Sequence, residues 1–109
     1  MAARRRLVIA PSALQDLEGI ATHIREHDAA AAVRQIERIL QKANGLRDYP
    51  EMGIARERLA PGLRSIVEAP YVVFYYPRPD RIEIVRVFHG RQDIEHEMLS
   101  FISRYFSDL

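Results

Sequence analysis

The sequence predicts an α+β fold in which a helical hairpin packs on a mainly antiparallel four-stranded sheet, in the order β-α-α-β-β-β-α. Three observations lead to this prediction. Apolar residues recur every three or four positions through residues 12–49, three strand-like runs follow one another within residues 63–89, and a third helical stretch comes after them. A chain of 109 residues is expected to form one domain, 1–109, around a single core.

The first half of the chain is predicted to contain one strand and two helices. Residues 6–10 form a short apolar strand, after which Ser12, with Gln15 three positions later, has the pattern of a capping box. Asp28 is a candidate cap for the second helix, which Pro50 ends. Because the break between the two helices is so short, we expect an antiparallel helical hairpin.

The second half is predicted to supply most of the sheet. Residues 50–62 contain two Pro and two Gly and are expected to form a loop. Strands are predicted at 63–69, 71–76 and 81–89, and a helix after Asp93. The uninterrupted apolar and aromatic run of the middle strand indicates that it is buried on both faces.

Composition narrows the functional classes. The net charge of +1 argues against a broad basic surface, so no direct sequence-specific binding of nucleic acid is expected. The absence of Cys removes disulfide and thiolate chemistry and fits a cytoplasmic protein. No apolar run approaches the roughly 20 residues that span a bilayer, so no membrane association is expected.

The end of the last predicted strand holds a candidate functional cluster. His89, Arg91 and Asp93 would share one face if the strand continued through Gly90. Such a cluster could transfer protons or hold an acidic partner. The alternative is that Arg91 and Asp93 simply form an ion pair at a strand end, worth less than about 1 kcal/mol when exposed.

Arg64 and Tyr71 are further candidates. Arg64 begins the second predicted strand, Tyr71 begins the third, and strand ends of an antiparallel sheet can approach the end of the fourth. We therefore expect Arg64 and Arg91 to be able to meet at one corner of the sheet. The alternative for Arg64 is a solvated edge charge that discourages aggregation.

Arg86 is unusual because it lies within an apolar strand. Strict alternation places it on one face with three apolar residues, Ile82, Ile84 and Phe88. It is expected either to pair with a carboxylate, such as Asp16 or Glu18, or to border an open apolar face that serves as a docking surface.

Metal and cofactor binding are not expected. His23 and His27 have the i, i+4 spacing that can hold a metal, but no third ligand lies near them in the sequence. The sequence contains no phosphate-binding glycine loop, no dinucleotide-binding motif and no Ser-His-Asp arrangement.

The last helix carries an apolar stripe that must dock on this domain or on a partner. Its members are one or two turns apart: Ile94, Met98, Phe101, Ile102 and Tyr105. We expect the stripe to lie against the sheet or a partner protein, and residues 107–109 to be mobile.

Several short motifs, taken in order, resemble the RelE/ParE superfamily of bacterial toxins, each of which is held in check by a partner antitoxin. The motifs extend over most of the chain: Pro11-Ser12-Ala13 with Asp16-Leu17 and Ile20, Tyr49-Pro50 with Gly53, Gly62-Leu63-Arg64, Tyr71, and Val87-Phe88-His89-Gly90-Arg91-Gln92-Asp93.

The resemblance implies different activities for the two branches of the superfamily. RelE-like members cleave mRNA on the ribosome with strand cations, an Arg at the end of the fourth strand and a C-terminal Tyr. Only Arg91 matches that set. Uncharged residues stand at the other positions, namely Leu63, Ser65, Val67, Val72 and Met98. No catalytic residue is therefore assigned, and the chain is expected not to be an enzyme.

The ParE-like branch shares the fold without that catalytic set, and resemblance to it implies poisoning of DNA gyrase by binding. The implied partner is a cognate antitoxin, ParD-like or RelB-like, in a hetero-oligomer. Two alternatives remain open: a ribosome-dependent mRNA endoribonuclease of the RelE type, and a non-toxic binding module derived from the same fold.

Overall fold

A mixed sheet with helices on both of its faces forms the framework of the protein. The computed structural model describes residues 4–107. Its elements, in chain order, are β1 (Arg6–Ile9), α1 (Pro11–Arg25), α2 (Ala29–Asn44), a 3-10 turn (Gly45–Arg47), β2 (Ile54–Ala55), β3 (Arg64–Glu68), β4 (Tyr71–Pro77), β5 (Arg81–His89) and α3 (Ile94–Ser107). The prediction of a mobile end falls on Ser107, the last residue of α3, and on residues 108–109, which lie outside the described range.

The strands lie in the order β1-β5-β4-β3-β2, with β1 parallel to β5 and the other neighbours antiparallel. The predicted α+β class is confirmed, but the prediction of four strands is wrong. The fifth strand is β2, which lies inside the region predicted as a loop. Its two residues pair with Arg64 and Ser65 of β3. Two residues are too few to produce a detectable alternation of apolar and polar positions.

The sheet separates two apolar clusters. On one face, α1 and α2 pack on the sheet through buried residues that include Leu17, Ile39 and Val73. On the other face, α3 packs through Met98 and Phe101. The central strand β4 contributes to both clusters, so the prediction that it is buried on both faces is confirmed.

A β-bulge in β5 changes which residues share a face. Tyr75 pairs with Ile84 and Phe74 pairs with Arg86, which leaves Val85 as an extra residue. As a result, Ile84 belongs to the cluster under the helical hairpin, whereas Phe88 belongs to the cluster under α3. The expectation that these two residues lie on one face with Arg86 is therefore wrong.

The sequence predicted the N-terminal cap of α2 correctly, but not that of α1. Asp28 caps α2 as predicted, because its carboxylate accepts a hydrogen bond from the Ala31 N–H at 3.1 Å. The capping box at Ser12 is not formed. Helix α1 starts at Pro11, with Ala10 at the cap position, two residues earlier than a cap at Ser12 implies, and the Ser12 hydroxyl donates instead to the Val85 carbonyl at 2.7 Å. None of the helices within residues 4–107 is long and apolar enough to cross a membrane.

Candidate functional site

An ion pair between Asp16 and Arg86 closes the outer edge of β5 beyond the end of β1. Arg86 Nε and Nη2 donate to the two Asp16 oxygens at 2.7 and 2.9 Å. Asp16 Oδ2 also accepts the Val87 N–H at 2.8 Å, so helix α1 supplies an acceptor where β1 no longer offers a strand neighbour. Of the two expectations for Arg86, pairing with a carboxylate is the one the structure shows.

The Arg86 guanidinium also contacts the aromatic residues of the α3 face. It lies 4.5 Å from the centroid of the Phe88 ring and 5.2 Å from that of Phe101, within the range of cation–π attraction. Arg86 therefore joins α1, β5 and α3, and most of its side chain is shielded from solvent. These contacts give it a structural role inside the domain.

The residues of the predicted cluster at the end of β5 have separate structural roles. The strand stops at His89, because Gln92 folds back and exchanges hydrogen bonds with its backbone: the Gln92 N–H donates to the His89 carbonyl at 3.0 Å, and the His89 N–H donates to Gln92 Oε1 at 2.7 Å. Asp93 caps α3, where its carboxylate accepts the His96 N–H at 3.3 Å. The expectation that His89, Arg91 and Asp93 share one strand face is therefore wrong.

Arg91 is the member of this cluster whose side chain is exposed and not used in any contact within the described residues. Its backbone N–H donates to His89 Nδ1 at 3.0 Å, which fixes the turn and requires that this ring nitrogen carries no proton. Its side chain is exposed and forms no hydrogen bond or ion pair with any other residue between 4 and 107. An uncommitted guanidinium on a fixed turn is suited to bind a carboxylate or phosphate.

Tyr71 supports the His89 ring from the neighbouring strand. The two residues are opposite each other in the β4–β5 ladder, and their rings meet edge to face with centroids 5.4 Å apart. Tyr71 is buried, and burial raises the pKa of its phenol. The phenol is therefore neutral at physiological pH and acts as a support for the imidazole.

Arg64 lies far from this corner. It is opposite Tyr75, and four residues of β4, roughly 13 Å of strand, separate Tyr75 from Tyr71, which is opposite His89. The expectation that Arg64 and Arg91 meet is wrong, because the β3–β4 hairpin places the last residue of β3, not the first, beside the end of β5. Arg64 Nη1 donates to the Gly53 and Glu51 carbonyls at 2.7 and 3.2 Å and holds the loop before β2.

A groove of about 450 Å³ runs between α1 and the end of β5. We call it the α1–β5 groove. It is lined by residues of both elements and of the adjoining turn and strand, among them Gln15, Gly19, Ile20, His23, Tyr71, His89 and Gln92. The structure thus brings two of the sequence candidates, Tyr71 and His89, to a common concave surface.

The α3 stripe lies on the sheet of this same domain. Met98 and Phe101 are buried, and Ile94, Ile102 and Tyr105 are partly buried around them. The Tyr105 hydroxyl donates to Glu83 Oε1 at 2.8 Å, and burial together with this hydrogen bond raises the pKa of Tyr105. The last turns of α3 are therefore fastened to β5.

Sequence reasoning missed Arg56. Its Nε donates to the buried Ser65 hydroxyl at 2.8 Å, at the border of a second groove of about 450 Å³ that Val72 and Ile94 also line. Arg58 of the same loop lines this groove and pairs with Glu95 at 2.8 Å. Because both cations come from the segment predicted as a loop, no periodicity indicated that they would reach the sheet.

Among residues 4–107, no group of three or more His, Asp or Glu side chains could hold a metal ion.

The fold is that of a known class of bacterial toxin. A solved structure described as the chromosomal ParDE TA system from P. aeruginosa matches with a TM-score of 0.68 and 21% identity, over 79% of this chain and 96% of that one. Together with the sequence relatives below, this fold places the chain in the RelE/ParE superfamily of toxins.

Within that class, the chain belongs to the family described as the ParE toxin of the type II toxin-antitoxin system parDE, whose model matches residues 7–94. Two toxins of Caulobacter vibrioides are similar in sequence. Toxin RelE2 is 39% identical over 80 residues, 72% of this chain and 86% of that protein. Toxin ParE3 is 27% identical over 84 residues, 76% of this chain and 84% of that protein.

Proposed function

We propose that this toxin arrests bacterial growth in the cytoplasm by binding DNA gyrase, without catalysing a reaction of its own. The observation that carries the proposal is the nature of the residues at the strand positions where RelE-like toxins hold cations. Leu63 and Ser65 are almost fully buried: Leu63 belongs to the cluster under α3, and the Ser65 hydroxyl accepts a hydrogen bond from Arg56 at 2.8 Å. A binding toxin needs no assembled acid and base at that place, whereas RNA cleavage does.

The exposed corner at the end of β5 is the proposed contact with the target. Arg91 offers an uncommitted guanidinium, and His89 and Tyr71 hold the adjoining turn. A target carboxylate can receive charge-assisted hydrogen bonds from such a guanidinium without any rearrangement of the toxin. Arg86 and Asp93 hold the elements next to this corner, through Asp16 of α1 and the first turn of α3, whereas Arg64 holds the loop before β2.

The proposed partner is a cognate antitoxin, ParD-like or RelB-like, in a hetero-oligomer. Large apolar side chains lie half or more exposed at several places on the surface: Val33, Tyr49, Met52, Ile54 and Val67. Exposure of so many apolar groups to water is unfavourable, and a partner that wraps around the toxin would cover them. The solved relative is described as a ParDE system, which supports this pairing.

A second candidate function is ribosome-dependent cleavage of mRNA. It is favoured by the 39% identity with a toxin named RelE2 and by the two loop cations, Arg56 and Arg58, at the groove beside α3. Two guanidiniums could hold a phosphate, but Arg56 is bound to Ser65 and Arg58 to Glu95. A non-toxic binding module is the third candidate, and expression without an antitoxin would then leave growth unaffected.

Two assays with the full-length toxin decide between the first two functions. Supercoiling of relaxed plasmid by gyrase should be inhibited, and primer extension on translated messages should show no new ends. Codon-dependent cuts together with normal supercoiling would identify the protein as a ribonuclease. Growth arrest with both assays negative would mean that the toxin acts neither by inhibiting gyrase nor by cleaving mRNA, and that its target lies outside both branches.

A matched pair of variants tests the proposed contact. Arg91→Gln should weaken binding to gyrase by roughly 10- to 150-fold, because a buried charge-assisted hydrogen bond is lost. Arg34→Gln removes the same charge from the exposed surface of α2 and should leave affinity unchanged. Equal affinities of the two variants would show that Arg91 is only a surface charge.

A further inference from the structure

Gly19 in the α1–β5 groove has no explanation within the described part of the chain. It lies in the middle of α1, where Gly is the least favourable residue after Pro. A methyl group added at Gly19 would meet no atom within 4 Å, and positive φ among the glycines is confined to Gly62. Neither crowding nor backbone conformation therefore requires glycine there. Its effect is to leave one wall of the groove low and open.

The lining of the groove is suited to an apolar group that is attached to an anion. Ile20 and Tyr71 provide apolar surface, and the imidazoles of His23 and His89 lie along the sides. The acidic residue in the lining, Asp16, is already neutralised by the guanidinium that it holds at 2.7 Å. No carboxylate in the lining is thus left to repel an anionic occupant.

Arg91 adds a permanent positive charge next to the groove. Its backbone is tied to His89 Nδ1 at 3.0 Å, and its exposed guanidinium has no partner among residues 4–107. A carboxylate near His89 could therefore accept charge-assisted hydrogen bonds from the Arg91 guanidinium, which would offset the cost of removing both groups from water. The complementary ligand is an acidic segment with an apolar side chain beside the carboxylate.

We infer that the α1–β5 groove, kept open by Gly19, receives an acidic peptide segment of the toxin's target protein. The apolar side chain of that segment packs on Ile20 and Tyr71, and its carboxylate faces His89 and Arg91. The inference rests on the proposed function in one respect, namely that the target is a protein.

The size and position of the groove favour the target over the antitoxin as its occupant. A volume of about 450 Å³ holds only a few side chains. The large exposed apolar residues that suit a broad, stable complex, such as Val33, Tyr49 and Ile54, do not line it. The antitoxin can cover those surfaces while the groove is reserved for the target.

Filling the groove without harming the fold tests the inference. Gly19→Ala and Gly19→Gln add side chains of increasing size, and Gly45→Ala is the matched control, because a methyl group there also meets nothing within 4 Å and Gly45 does not line the groove. All three variants should melt at or a few degrees above the wild-type temperature, since each replaces Gly by a better helix former. Gly19→Gln should abolish growth arrest and weaken gyrase binding at least about tenfold, with Gly19→Ala intermediate and Gly45→Ala unchanged.

The outcomes separate the groove from the identity of the target. Growth arrest by Gly19→Gln as strong as that by Gly45→Ala would overturn the inference. Loss of antitoxin co-purification with growth arrest retained would also overturn it, because the antitoxin would then be the occupant. If the wild-type toxin arrests growth while supercoiling stays normal, the gyrase proposal fails, and the growth assay on the Gly19 series still decides whether the groove is used.

Discussion

Three arginines that look equivalent in the sequence have different environments in the folded chain. The guanidinium of Arg86 is held by Asp16 and that of Arg64 by the carbonyls of the loop before β2, whereas that of Arg91 has no partner among residues 4–107. The sequence correctly named Asp16 as a possible partner of Arg86. It could not assign the partner of Arg64, because that depends on Gly53, a residue in a segment without periodicity.

Removing Arg86 should destabilise the domain strongly. Arg86→Ala leaves the mostly buried Asp16 carboxylate with only the Val87 N–H, so we expect a loss of about 3 kcal/mol in the free energy of unfolding, measured by urea denaturation. Arg58→Ala is the control, because its pair with Glu95 is exposed and should contribute less than about 1 kcal/mol. Similar small losses in both variants would contradict a structural role for Arg86.

At the scale of elements, a short loop clamp fixes β2 against the sheet. The buried Tyr75 hydroxyl accepts the Gly53 N–H at 3.0 Å and donates to the Pro50 carbonyl at 2.7 Å, while Arg64 binds the Gly53 carbonyl from the other side. The resemblance to known toxins included Gly53. The reason for a glycine there is the Tyr75 hydroxyl, which lies too close to position 53 to leave room for a side chain. Long-range contacts of this kind leave no local pattern in a sequence.

Gly53→Ala should break this clamp. A Cβ at position 53 would lie 2.6 Å from the Tyr75 hydroxyl and 2.7 Å from the Ser65 carbonyl, so we expect a loss of about 1–3 kcal/mol in a thermal or urea unfolding experiment. Gly45→Ala, which has open space, should be neutral or slightly stabilising. Equal stability of the two variants would mean that the loop can shift without cost.

The C-terminal half of α3 should be required for an active toxin. Deleting residues 100–109 removes Phe101, Ile102 and Tyr105 from the sheet, and loss of the Phe101 contacts alone is expected to cost about 3 kcal/mol or more. The truncated chain should bind an apolar dye, unfold at lower urea concentration and arrest growth weakly. Leu99→Ala, at a half-exposed position, should change little. Full growth arrest by the truncated chain would refute this requirement.

The whole molecule combines a sheet covered on both faces with surfaces that no part of the described chain covers. The sequence predicted the class, the helical hairpin and the central strand, because each produces a strong periodic pattern. It did not predict the bulge at Val85, whose carbonyl accepts the Ser12 hydroxyl of α1, a contact between segments far apart in the chain. This single shift moves Phe88 to the face of α3 and thereby decides what Arg86 can contact.

Stability of the whole domain should fall at alkaline pH. Burial raises the pKa of the Tyr71, Tyr75 and Tyr105 phenols, so the folded state holds these protons more tightly than the unfolded chain, in which they dissociate near pH 10. Their contribution is complete below about pH 10 and is lost as the pH rises through the folded-state values. Urea midpoints measured from pH 8 to about pH 12 should therefore decline at the alkaline end, and less steeply for Tyr75→Phe. Midpoints that stay constant would exclude this linkage.

Because β1 pairs with β5, the sheet of the toxin cannot be completed until β5 has been synthesised. Arg6 lies opposite Arg81 and Ile9 opposite Ile84, so β1 has no strand neighbour until β5 has been synthesised. Contacts between such distant segments form late, after the helical hairpin has had time to assemble. A nascent chain interrupted before β5 would have neither the edge that Asp16 completes nor the turn that carries Arg91. The cell would therefore meet an active toxin only after β5 and the turn that follows it had been translated.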